Sequence, residues 1–321
     1  MNWNSASLLA TACRPALPVA LASAVVFLSG SLTLPAEDAP PREAANVASR
    51  KSETGYIEYF PGQLPIVLAA PHGGKLIPKE LPDRTSGRLQ RDAQTAELAM
   101  EMRAEMQRRF GQAPHLVICH LARIKLDANR DLKEAAQGHA TAEKAWHEYH
   151  AFLEEAEKSI LLSHPRGLYL DIHGHSHPKQ RLELGYLLDK GEIQWPDERL
   201  NAPEVAARTS VRLLAGSSPD DFSRLLRGPH CLGALLEKQG VPCVPSPSAE
   251  LAVEDLYFSG GYNTSRHGSL DGRGLDAVQI EAPVDYRREK GGRETLARAL
   301  TAALEPYFAR HFQMTLPVMK K

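Results

Sequence analysis

The residues of this chain best suited to chemistry are histidines. His173, His175 and His177 recur two apart in Asp171-Ile-His-Gly-His-Ser-His177, and His72 stands in Pro71-His72-Gly73-Gly74. In an extended segment a period of two places such side chains on one side, where a histidine from a neighbouring strand can meet them. Two imidazoles and a carboxylate around a divalent ion, with one position open, form the usual catalytic zinc arrangement. His72 and His173 are the expected metal ligands. His175 is read as a substrate or oxyanion contact, or as an alternative ligand, and His177 as a surface residue. A single histidine at a strand end is more often structural, so it is the grouping that points to Zn²⁺ or another divalent metal.

Other polar groups follow apolar runs in the same way. Arg123-Ile-Lys-Leu-Asp127-Ala-Asn129-Arg130-Asp131 offers a guanidinium fork and an amide that can grip a carboxylate, although the same residues taken alone suit a solvated loop with local ion pairs. Gln279 and Glu281 close a later run. Asp171 alternates to the side of His173 and can hold an imidazole tautomer as an outer partner. Gly73-Gly74 permits a sharp turn and close approach of backbone to a ligand.

These groups need elements to position them. Leu64-Pro-Ile-Val-Leu-Ala-Ala70, His115 to Leu121 and Gly167 to Ile172 are continuous apolar runs, as expected of strands buried on both faces. Further strands are expected at 184–188, 241–244 and 275–281. Helices are expected at 92–109, 133–163, 206–214, 221–239 and 293–312. Strands alternating with helices predict an α/β fold, a three-layer α/β/α arrangement around a central mixed, mostly parallel sheet. In such sheets ligands bind beyond the carboxyl ends of the strands, where the histidines and Glu281 fall.

The sequence resembles the N-formylglutamate amidohydrolases. Pro71-His72-Gly-Gly, the Asp92 helix start, Arg123 to Arg130, Asp171-Ile-His173, Gly260-Gly261-Tyr262 and Gln279-Ile-Glu281 occur in that family's order over about 64 to 290. The resemblance implies a fold related to the zinc carboxypeptidases, with His72 and His173 as metal ligands and Glu281 as general base and acid. It also implies Asn129 and Arg130, assisted by Arg123, as the substrate-carboxylate pair. A substrate-covering loop would carry Tyr262, with Arg266 and His267 as further contacts. The His-x-x-Glu ligand motif of the carboxypeptidases is missing, since Gly73, Gly74 and Lys75 follow His72. Asp92 is the expected third ligand, with a helix N-cap as its alternative role. The implied activity is metal-dependent cleavage of an amide bond in an N-acyl amino acid or related small carboxylate-bearing substrate. A zinc carboxypeptidase or peptidoglycan amidase, and a non-catalytic exported metal-binding protein, are the alternatives.

Composition bounds the partners. The 38 basic and 39 acidic residues leave a formal net charge of −1 with no basic block, so neither nucleic acid nor an anionic membrane surface is an expected partner. A small molecule or short peptide is expected instead. Residues 1–36 are organised as a signal peptide, with a lone cation at Arg14 and a charge-free run from Pro15 to Pro35. The run is near spanning length, so an uncleaved anchor is the alternative. Export to the periplasm or the extracellular space is expected. Residues 37–55 read as a disordered tether and 56–321 as one catalytic domain. Cys119, Cys231 and Cys243 lie beyond the leader; Cys231 and Cys243 can pair under oxidising conditions, or all three can be buried thiols.

Overall fold

A computed structural model describes residues 48–319 except Arg273. The leader and residues 37–47 of the tether lie outside the described residues, as does Cys13. Among the described residues, no helix is long and apolar enough to cross a membrane.

In chain order the elements begin with strands β1 (Arg50–Lys51), β2 (Ile57–Phe60) and β3 (Ile66–Ala70). Helix α1 (Thr95–Phe110), β4 (His115–Cys119), α2 (Leu132–Ala136), α3 (Ala140–Ser163), β5 (Leu168–Gly174) and β6 (Leu182–Gly185) follow. Six short helices come next: α4 (Lys190–Ile193), α5 (Asp197–Leu200), α6 (Pro203–Ala206), α7 (Arg212–Ala215), α8 (Phe222–Arg227) and α9 (Leu232–Glu237). The chain closes with β7 (Cys243–Val244), α10 (Tyr262–His267), β8 (Asp276–Ala282), α11 (Val284–Arg287) and α12 (Lys290–Tyr307).

The eight strands form one mixed sheet in the order β1-β2-β4-β3-β5-β8-β6-β7. Its centre, β4-β3-β5-β8, is parallel, and antiparallel pairing enters at β2–β4, β1–β2 and β6–β8. Alternate residues of each central strand feed opposite layers. Ile66, Leu68, Leu170 and Ile172 pack with α1 and α12 on one face, and Val67, Ala69, Val117 and Tyr169 pack with α3 on the other. The expected α/β/α layering is therefore observed. Helix α1 binds through Leu98, Met102, Met106 and Phe110, four apart on one stripe and fully buried, each contributing on the order of 1.5–3 kcal/mol. Gly111, at φ 70°, ends it.

Several elements differ from expectation for local reasons. The helix expected over 133–163 is broken into α2 and α3 where Gln137 and Gly138 take positive φ. The one expected over 221–239 is split into α8 and α9 around Gly228-Pro229. The strand expected at 241–244 shrinks to two residues. The last residues of the stretch read as a tether join the sheet, Arg50 and Lys51 pairing with Tyr59 and Glu58. Cys119, Cys231 and Cys243 are buried free thiols, so Cys231 and Cys243 are not bonded to each other.

Candidate active site

All four parallel strands end at one edge of the sheet, and register fixes what meets there. Asp171 and His173 lie opposite Gln279 and Glu281 across β5–β8, and Glu281 lies opposite Glu183 across β8–β6. His72 arrives two residues beyond β3, and Asp92 two residues before the Gln94 N-cap of α1.

Three buried ligand-type atoms converge at this edge. His72 Nδ1 and His173 Nδ1 are 3.1 Å apart, and each is 3.3 Å from Asp92 Oδ2. His72 Nε2 faces Asp127 Oδ1 at 2.6 Å, and His173 Nε2 faces Asp171 Oδ2 at 2.8 Å. A ring that donates its Nε2–H to a carboxylate presents a bare lone pair at Nδ1. With both rings neutral, two lone pairs and a carboxylate oxygen point at one another in a buried site, and a positive charge relieves this, either a metal ion or a proton on His173. Atoms bound at about 2.0–2.2 Å from a tetrahedral ion stand roughly 3.3–3.5 Å apart, close to the spacing observed. The residues fit a divalent metal. The Asp92 carboxylate turns to this point, accepting also from Gly174 N at 3.3 Å, and the N-cap position of α1 is taken by Gln94 and not by Asp92.

The surrounding groups are held in turn. Asp127 Oδ2 accepts from Arg123 Nε at 2.7 Å, Arg84 Nη1 lies 3.8 Å away, and Asp127 Oδ1 accepts from Asn129 N at 3.1 Å. Tyr169 donates its hydroxyl to Asp171 Oδ1 at 3.0 Å. Burial pushes the Asp92 carboxyl up, but hydrogen bonds and charge from His173 and His72 hold it well below the usual range. Burial works against a charged His173, yet Asp171 and Asp92 hold its ring well above the usual histidine value. Glu281 accepts from Gln279 Nε2 at 3.1 Å on one oxygen, and its other oxygen has no partner among the described residues. Burial pushes its carboxyl up to about 8; His173 opposes the rise, and Asp92 and Glu183 add to it.

A cavity of about 90 Å³ contains this point, lined among others by Arg88, Arg123, Asn129, Arg130, Phe258 and Glu281. Arg130 donates to Glu134 and to the Asn129 carbonyl, and Asn129 accepts from Asn263 N at 2.7 Å. Arg123 is committed to Asp127 and lies 3.6 Å from Asp92, so it braces the metal group and is not free for a substrate. Arg88 is exposed at the mouth, its guanidinium 5.8 Å from the Phe258 ring centre. A cavity of about 600 Å³ lies across the Gly73-Gly74 turn, lined by Phe60, Leu76, Met100 and Ile118, and holds none of these groups.

Several expectations are corrected. His175 leaves the site: β5 ends at Gly174, and the ring turns away to donate from Nε2 to Arg181 O at 3.0 Å while Nδ1 accepts from His177 N. His177 is half-buried, with Nδ1 2.8 Å from Glu183 Oε1. His175, His177 and Glu183 lie close enough to hold an ion, but a His175 ring accepting at Nδ1 and donating at Nε2 has no lone pair left for it. Tyr262 packs its ring on Trp146 and His150, outside the cavity, and Arg266 reaches Glu154 and Tyr262 instead of a substrate. His267 stacks on His150. Gly73 and Gly74 serve packing, because a Cβ there would lie 2.4 Å from Ala96 N and 2.3 Å from Leu121 O. Sequence reasoning missed Asp127, Glu183, Arg88 and Phe258 as neighbours of the site. A carboxylate two residues before Asn129 was the available signal for Asp127.

The fold and site together define a three-layer α/β protein with a buried His-Asp-His group facing a glutamate at the carboxyl edge of its sheet. No protein-family model and no curated protein matches the chain. Among solved structures it is similar to an N-formylglutamate amidohydrolase from Ralstonia eutropha JMP134, at 16% identity over 78% of this chain and 95% of that one, TM-score 0.47. A gene product from Agrobacterium tumefaciens is similar at 16% identity over 78% of this chain and 93% of that one, TM-score 0.47. A succinylglutamate desuccinylase from Chromobacterium violaceum is similar at 13% identity over 83% and 71%, TM-score 0.37.

Proposed function

We propose that the protein is a metal-dependent amidohydrolase that cleaves the amide bond of a small N-acyl amino acid. The observation that carries this reading is the convergence of His72 Nδ1, His173 Nδ1 and Asp92 Oδ2, 3.1–3.3 Å apart, in the small cavity that Glu281 also lines. The two imidazoles and one carboxylate would hold the ion, and this donor set favours zinc. When bound, such an ion acidifies water and polarises a carbonyl.

Glu281 moves the proton. Its unpartnered oxygen accepts one from water and delivers it to the leaving nitrogen, and a positive charge beside His173 draws its raised pKa back toward neutrality. Asp127 and Asp171 keep the imidazole protons on Nε2. Arg130 and the Asn129 amide orient the substrate carboxylate, with Arg88 at the mouth. A cavity of about 90 Å³ is far below the roughly 300 Å³ at which larger ligand pockets begin, which supports a small acyl group over a long peptide. The charge-free run from Pro15 to Pro35 behind Arg14 supports action outside the cytoplasm, with mature protein beginning near residue 37.

A hydrolysis screen over formyl-, acetyl- and γ-glutamyl amino acids and short peptides, with zinc restored after chelation, tests the reading. Small N-acyl amino acids are the expected substrates. R130A should lower kcat/KM roughly 10- to 100-fold, mainly through KM, as expected for one lost charged hydrogen bond. Turnover that survives exhaustive chelation, or that is confined to long peptides, overturns it.

A further inference from the structure

Three chain segments carry Asp92, His173 and Glu281, and one side chain is bonded to all three. Arg287, 4% exposed at the end of α11, donates from Nη1 to Ala93 O at 2.7 Å, from Nη2 to His175 O at 2.9 Å and from Nε to Ala282 O at 3.2 Å. A weaker contact runs from Nη2 to Ser176 Oγ at 3.4 Å. Ala93 adjoins Asp92, Ala282 adjoins Glu281, and His175 lies two residues beyond His173.

A guanidinium is a rigid planar fork, so binding three carbonyls at once fixes the spacing between the segments that bear them. Burying a guanidinium is costly, and among the described residues its hydrogen bonds go to backbone or hydroxyl oxygens and not to a carboxylate. Burial lowers its pKa, and Asp92 and Glu281 oppose the fall, so its charge also acts on the two carboxylates of the site that face the cavity.

Gly174 supplies an independent observation. A Cβ at that position would lie 2.5 Å from Arg287 Nε and 2.7 Å from its Cδ, while the Gly174 N–H donates to Asp92 Oδ2 at 3.3 Å. The glycine between His173 and His175 leaves room for the arginine, which crosses directly over it.

We propose that Arg287, seated over Gly174, is the positioning residue that holds Asp92, His173 and Glu281 in the geometry needed for metal binding and proton transfer. The proposal rests on the metal-dependent reading of the site and assigns a function to an arginine that touches no reacting atom.

Zinc affinity, measured by competition with a chromophoric chelator, tests it alongside thermal unfolding of the metal-free protein and the split between kcat and KM. R287A should weaken zinc roughly 10- to 100-fold, the range for outer partners of metal ligands. In the same variant kcat should fall while KM stays within about twofold. R287K, which donates from one point in place of a fork, should restore only part of the affinity. G174A should weaken zinc by displacing the guanidinium, and G174A/R287A should be about as weak as R287A alone, since both changes remove one interaction. If R287A does not fold, R287K and G174A carry the test. Unchanged zinc affinity in both, or a lower unfolding temperature as the sole effect of R287A, overturns the role of Arg287. A wild-type protein that takes up no divalent ion overturns the metal reading and this role with it, whereas tight zinc binding by wild type and variants alike overturns this role only.

Discussion

Glu281 offers the most quantitative test of the site. Its carboxyl is buried, one oxygen accepts only from Gln279, and its pKa is pushed from an ordinary 4.5 up to about 8 by burial, with Asp92 and Glu183 adding to the rise. Such a carboxyl keeps in the fold a proton that the unfolded chain releases near pH 4.5. The fold therefore loses stability as pH rises from about 4.5 to about 8, and no more above that. At 1.36 kcal/mol per pH unit the whole interval is worth on the order of 5 kcal/mol. E281Q removes the ionisable group. In metal-free protein it should match wild type near pH 5 and exceed it by several kcal/mol at pH 9, while hydrolysis is lost. With urea slopes of about 1–3 kcal/mol per molar, the midpoints should separate by roughly 2–5 M at the alkaline end. Urea denaturation at fixed pH steps in the presence of chelator measures this. Restoring zinc should shrink the difference, because a neighbouring cation favours the charged carboxylate. A stability difference that stays constant from pH 5 to 9 refutes the buried-acid reading, and a variant that still hydrolyses substrate removes Glu281 from proton transfer.

H72A and H173A should each abolish stoichiometric zinc binding, and chelation should lower wild-type unfolding stability by about 4 kcal/mol at free zinc near a thousand times Kd; titration calorimetry and melting curves check both. D127N places an amide between His72 Nε2 and Arg123 Nε, and D171N removes the oxygen that fixes the His173 proton on Nε2. Each should weaken zinc roughly 10- to 100-fold in the chelator competition, and unchanged affinity refutes the tautomer argument. H175A should leave kcat within about twofold while costing roughly 1–3 kcal/mol in denaturation, since Arg181 O and His177 N lose their partner. A hundredfold loss of kcat would return His175 to the reaction.

Legibility differed with the kind of contact involved. β3 is readable because a strand covered on both faces is continuously apolar, and in β5 and β8 the few polar residues near the carboxyl end stand out against apolar neighbours. His72, His173 and Glu281 are found that way, and their meeting follows from strand register. His175 misleads because its period of two assumes that the strand continues, whereas β5 stops at Gly174 and the next ring turns to Arg181. Tyr262 and Arg266 mislead differently: the segment does close the cavity, but through the backbone of Gly260 and Gly261, which frees the side chains to pack against α3.

Asp127 and Arg287 were harder still to read, and for one reason. Asp127 sits in a run of charges where any member could ion-pair locally, and only the path of the chain after β4 brings it beneath His72. Arg287 binds carbonyls, which every residue possesses, so no side-chain pattern marks its partners. A metal ligand must be one of a few residue types and is therefore visible in sequence. The groups that orient it and balance its charge can be nearly any donor or acceptor brought near by the fold, and their identity becomes readable only once the chain has brought them together.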